Sequence, residues 1–155
     1  MDGALRGFAD ALLRAAKTEC TAGDRSGGER CRDVLCRVAA LHDALSRGDF
    51  EGVAAELEPD VELEYFGVHL PGFQRLARGA EAAVELWRAH EAAMRWSALS
   101  LESATALGET VILFRRECGS WLGHAHDAFV VAHFQLRDGR ISRVRARSFP
   151  GAGAT

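Results

Sequence analysis

The sequence predicts an α+β domain in which a curved, mostly antiparallel sheet wraps around a long helix, a cone-shaped arrangement with a pocket between sheet and helix. Two observations carry this. Apolar residues recur at helical spacing through the first half of the chain and change to strand alternation after Trp96. The 155 residues, 48% of them apolar, suffice for one core and leave no room for a second domain.

Leu5, Phe8, Leu12 and Leu13 form an apolar stripe that predicts an amphipathic helix over 4–17. The stretch 21–30, TAGDRSGGER, holds three glycines and no large apolar residue, so it reads as a linker. A second helix is expected over 32–46, with Val34, Leu35, Val38, Leu41 and Leu45 on one stripe and Gly48 placed to end it. Asp49 can cap a short helix over 50–57, which Pro59 stops. Val61, Leu63 and Tyr65 alternate with Glu62 and Glu64 in a strand, and 79–94 carries Ala83, Leu86, Trp87, His90 and Met94 at helical spacing. Strands then follow over 97–106, 110–118, 123–136 and 140–149, broken by turns at LeuGlyGlu, CysGlySer and ArgAspGlyArg. The organisation expected is a leading helix and linker over 1–30, a main domain over 31–150 and a short tail over 151–155.

A net charge of −3 gives no positive field for a phosphate backbone, so nucleic acid is not an expected partner. No run approaches the apolar length of a membrane span, and the N-terminal MDGALRGFADALL lacks the basic start and long apolar stretch of a secretion signal; a cytoplasmic location is expected. Cys20, Cys31, Cys36 and Cys118 have no CxxC spacing and read as reduced thiols.

Three stretches carry a family resemblance. LHDALSRGDFEGV (41–53) looks like a helix-to-helix passage, EPDVELEYFG (58–67) with RGAEAAVELW (78–87) like the strand and Gly-initiated helix that follow, and FQLRDGRISRVRARSF (134–149) like a closing hairpin. In this order they resemble the SnoaL-like and nuclear transport factor 2-like superfamily over about 32–150, with the leading helix outside the likeness. The resemblance implies a small hydrophobic oxygenated substrate, such as a polyketide or terpenoid intermediate, a homodimer and no cofactor. Similarity to ketosteroid isomerases would put a carboxylate base at Glu64 or Tyr65, while their other two polar groups fall on Leu41 and near Val130 or Val131. Similarity to limonene-type epoxide hydrolases matches Arg115 and Glu117 to an Arg-x-acid pair, but Ala146 stands near the position of their catalytic aspartate.

The segment most loaded with chemistry is GHAHDAFVVAHF (123–134). Alternation places His124, His126, Val130, Ala132 and Phe134 on one face of a strand, so His126 aided by His124 is the expected general acid/base. A metal would need a third ligand that the sequence does not supply nearby. Scytalone dehydratase, which this chain resembles in carrying strand histidines, implies proton transfer. Tyr65, His42 or Arg116 would stabilise negative charge on a substrate oxygen. Trp87, Phe114, Trp121, Phe129 and Phe134 are expected to wall the pocket, with Val144 and Ala146 on one face of the last strand. Arg143, Arg145 and Arg147 share the opposite face, where Glu102, Glu117 or a second subunit's acids would meet them. A non-catalytic ligand-binding or dimerisation domain is the alternative. The leading helix is expected to lid the cone or to pack on a partner.

Overall fold

A computed structural model describes residues 3–18, 25–67 and 70–151, and the side chains of these outside 25–32. Among these residues four helices precede or interleave with six strands in the order α1 (Gly3–Thr18), α2 (Arg25–Arg47), α3 (Phe50–Ala55), β1 (Leu57–Phe66), β2 (Leu76–Arg78), α4 (Ala80–Ala93), β3 (Met94–Leu107), β4 (Thr110–Trp121), β5 (His124–Arg137) and β6 (Arg140–Pro150). The strands form one unclosed sheet in the order β2-β1-β6-β5-β4-β3. Among the described residues only β1 and β6 run parallel. The α+β cone is therefore as the sequence predicts, and Leu35, Val38, Leu41 and Leu45 of α2 fill it against Leu113, Ala132, Phe134 and Val144 of the sheet.

Several boundaries differ from expectation for identifiable reasons. Residues 25–30, read as linker, are the first turns of α2, while 21–24 lie outside the described residues. Helix α3 ends at Ala55, and Pro59 lies inside β1 instead of stopping a helix. It falls where the β1–β6 register shifts between Leu57 and Glu62, a break in the ladder where a missing N–H costs least. The three-residue strand β2 was not expected at all. The β4–β5 turn is made by Leu122 and Gly123, both at positive φ, the geometry of a two-residue hairpin. CysGlySer continues the strand: Gly119 pairs with Trp96, and a Cβ there would collide with the Arg95 carbonyl oxygen. Glycine is needed here for close backbone approach, not for a turn.

Helix α1 is part of the core. Phe8, Leu12 and Ala16 are buried in the same cluster as α2 and the sheet, and the Phe8 ring sits 5.1 Å from the His42 ring and 5.8 Å from the Arg115 guanidinium. Phe8→Ala is therefore expected to destabilise the protein by about 3 kcal/mol, read as a lowered midpoint in urea. A loss under about 0.5 kcal/mol, the size usual for surface positions, would show that α1 is only loosely attached.

Candidate active site

The inner face of β4 changes character along its length. Val111 and Leu113 are fully buried apolar residues, and the next two positions of the same parity are Arg115 and Glu117. Glu117 is 5% exposed. Its Oε1 accepts from Arg115 Nε at 2.7 Å and lies 2.7 Å from Nη2, while Oε2 lies 3.0 Å from His126 Nε2. His126 comes from β5, where Gly119 is its direct cross-strand partner and Glu117 is opposite Ala128, so the carboxylate reaches it diagonally. Burial alone would raise the Glu117 pKa; the Arg115 charge, the His126 hydrogen bond and the charge of His90 reverse this and hold it at about 2. The carboxylate is thus ionised, and His126 Nε2–H is its donor, which leaves Nδ1 as the basic nitrogen.

Two small chambers of about 40 and 20 Å³ lie beside this triad, both walled by Tyr65, His90, Arg115 and Ala146. His126, Glu117 and Val130 line the smaller. His42, Trp87, Phe134 and Val144 line the larger, together with Leu5 from α1. Tyr65 Oη accepts from Trp87 Nε1 at 2.8 Å. Burial, only partly offset by the Arg115 charge and the Trp87 bond, pushes the phenol up to about 12, so its own proton remains available for donation.

His42 donates from Nδ1 to the Val38 carbonyl at 2.8 Å and packs its ring on Phe8 and Phe134. Burial and the nearby Arg115 charge lower its pKa to about 4. It is neutral near pH 7 and offers only Nε2, as an acceptor.

Five expected residues, Glu64, Phe114, Arg116, His124 and Phe129, lie elsewhere. Glu64 is on the outer face of β1, 3.3 Å from Arg145, and Glu62 pairs likewise with Arg143 at 3.0 Å. These glutamates, not Glu102 or Glu117, meet the β6 arginines, because the parallel β1–β6 register sets them side by side. Arg147 instead stacks on Phe149. Arg116 also faces outward, paired with Asp127 at 3.3 Å; the inward arginine is its neighbour Arg115. Phe114 is on the outer face, stacked on Phe129 at 5.6 Å. His124 is exposed at the start of β5, apart from His126. Trp121 is buried, but it donates to the Pro71 carbonyl at 2.8 Å and packs on Phe73 and His90 at the edge of the site.

Glu117, Arg115, His90, Glu91, Phe73 and Trp96 complete the walls. The signal for the first two was legible: two charges continuing the buried parity of Val111 and Leu113. His90 shares the helical stripe of Leu86 and Trp87, which marked its face as inward; Trp96 gave no signal, because a residue at the start of a strand has no fixed face until the sheet is assembled. Among the described residues no three His, Cys, Asp or Glu side chains are placed to hold a metal ion, and no helix is long and apolar enough to cross a membrane. Cys36 and Cys118 are free thiols; the side chains of Cys20 and Cys31 lie outside those described.

The family model for the SnoaL-like domain matches residues 38–144. The chain belongs to the SnoaL-like domain family. Solved structures similar to this SnoaL-like chain include an LEH-like epoxide hydrolase of M. tuberculosis, 23% identical, with a TM-score of 0.59 over 77% of this chain and 84% of that one. A candidate ketosteroid isomerase of Kribbella flavida is 18% identical, with a TM-score of 0.61 over 81% and 84% of the two chains. A candidate SnoaL-like polyketide cyclase of Jannaschia sp. CCS1 is 19% identical, with a TM-score of 0.64 over 82% and 91%. No curated protein matches the sequence. At these identities the likeness establishes the fold and leaves the reaction to the site itself.

The lowered His42 pKa has a sign that can be checked. The unfolded chain binds a proton below about pH 6.5 that the folded protein refuses until about pH 4, so stability falls as pH drops through that window. His42→Leu should remove about 2 kcal/mol of the loss seen between pH 7 and pH 5, measured by urea unfolding at both values. An unchanged difference would mean that His42 is already protonated in the fold.

Proposed function

We propose that this SnoaL-like protein is a cofactor-independent enzyme performing acid/base chemistry on a small, hydrophobic, oxygenated molecule. The observation that carries this reading is the Glu117–His126 contact at 3.0 Å in a chamber shared with the Tyr65 hydroxyl. Arg115 holds Glu117, and Glu117 in turn fixes the imidazole through its Nε2. His126 Nδ1 takes a proton from the carbon next to a substrate carbonyl, and Tyr65 donates a hydrogen bond to the oxygen where charge develops. Return of that proton to a different atom completes an isomerisation; its delivery to a departing hydroxyl completes a dehydration. The same imidazole can activate water for epoxide opening.

Helix α1 serves as a lid in this reading, since Leu5 walls the larger chamber and each chamber has room for little more than water. A homodimer would use the outer face of β4–β6, where Phe114, Phe129, Val131 and Phe149 adjoin through the strand register.

Incubation with a panel of aromatic polyketide ketones and terpenoid epoxides, with products followed by mass and retention time, is expected to give conversion. His126→Asn should slow it by roughly 100-fold or more with the thermal midpoint little changed, and Tyr65→Phe should lower kcat while leaving KM nearly constant. Equal conversion by wild type and His126→Asn would remove His126 from the mechanism. Tight binding of a panel member without conversion would favour a ligand-binding domain instead.

A further inference from the structure

Outside the larger chamber is an open vestibule of about 830 Å³, formed where the start of α1, the ends of α2 and α4 and the start of β3 converge. Leu5, Leu45, Glu91 and Trp96 line both spaces, so the vestibule and the chamber adjoin across these four side chains. Its volume is in the range that holds drug-sized ligands, whereas the chamber is far below it. Of the two spaces, only the vestibule has room for the body of a drug-sized molecule.

The vestibule holds three arginines in different states. Arg47 is paired with Asp43 at 3.0 Å and Asp49 at 3.6 Å. Arg88 is 3.6 Å from Glu85 and stacks over Phe50 at 4.7 Å. Arg95 has no carboxylate partner among the described residues. Both its hydrogen bonds leave from Nη1, to the carbonyls of Ala92 and Met94 at 3.1 Å each. These bonds anchor the guanidinium at the end of α4 and leave the Nε and Nη2 edge, the edge that grips a carboxylate in two parallel bonds, without a partner among those residues. Among the described residues, the one acid in the vestibule lining, Glu91, is engaged by His90 and by Trp96 Nε1, each at 3.4 Å.

We propose that Arg95 is the anion-docking residue of this vestibule and that the ligand class is an apolar ring system bearing a carboxylate. The ring lies against Phe50, Met94 and Trp96, and the carboxylate takes the free edge of Arg95. This deepens the acid/base reading and rests on it for the orientation of the substrate, but the docking can be measured without turnover. The probes are 2-naphthoate and its uncharged analogue 2-naphthamide, titrated calorimetrically at low ionic strength.

The wild-type protein is expected to bind naphthoate about tenfold more tightly than the amide. Arg95→Gln should bring the two affinities to within about twofold of each other, and Arg95→Lys, which keeps the charge without the fork, should retain an intermediate preference. The preference should persist in His126→Asn, so a protein that docks naphthoate but converts no substrate overturns the chemistry alone. Absence of naphthoate binding, equal wild-type affinities, or a preference that survives in Arg95→Gln would overturn the docking.

Discussion

A carboxylate taken out of water must be compensated on every side, and Glu117 is such a carboxylate. Both oxygens are occupied, one by the Arg115 fork and the other by the His126 ring. Removing either partner would leave a buried charge unmatched, a loss of several kcal/mol in comparable sites. The β4–β5 register, the glycine opposite His126 and the inward parity of β4 all have to be right for this pair to form. Local sheet geometry and site chemistry are therefore one constraint. The cost of burying the ion is offset by the Arg115 charge and the His126 hydrogen bond, and the result is a fixed imidazole orientation.

Around that pair the cone is nearly filled. His42 of α2 lies between a ring from α1 and a ring from β5, so the helix before the family-matched region reaches into the centre of the fold. The same helix places Leu5 in the wall between the chamber and the vestibule. If α1 acts as the lid proposed above, stability and access depend on one element, because loosening it would give up part of the core. Such trade-offs place lids among the less stable parts of a protein.

Much of this was legible in the residues. Alternation placed His126, Val130, Phe134, Val144 and Ala146 on inner faces, and the apolar stripe of α1 required burial. What could not be read was phase at the strand ends. His124 shares parity with His126 but is exposed at the start of β5, so parity alone overstated the pairing. Arg115 and Arg116 differ by one position, and a strand register that differs by one exchanges inside for outside. Glu64 stood on a strand whose two neighbours were unknown from sequence; once β6 is seen beside β1, its arginine partner is explained. Gly119 shows the remaining difficulty, since a glycine inside a strand and a glycine in a turn look alike until the opposing backbone is placed.

The parallel pairing of β1 with β6 has a consequence in time. The sheet order sets the last strand near the middle of the sheet, between β1 and β5. While the chain is being synthesised, β1 has only the three-residue β2 to pair with, and the β3–β5 meander has a bare edge where β6 will lie. Both halves must wait with exposed backbone until β6 emerges, a demand for late, long-range closure of the kind that slows folding and invites association between incomplete chains. The alternating arginines of β6 are then suited to a second task. A strand so heavily charged on one face resists pairing with another copy of itself, which protects the join while it is still open.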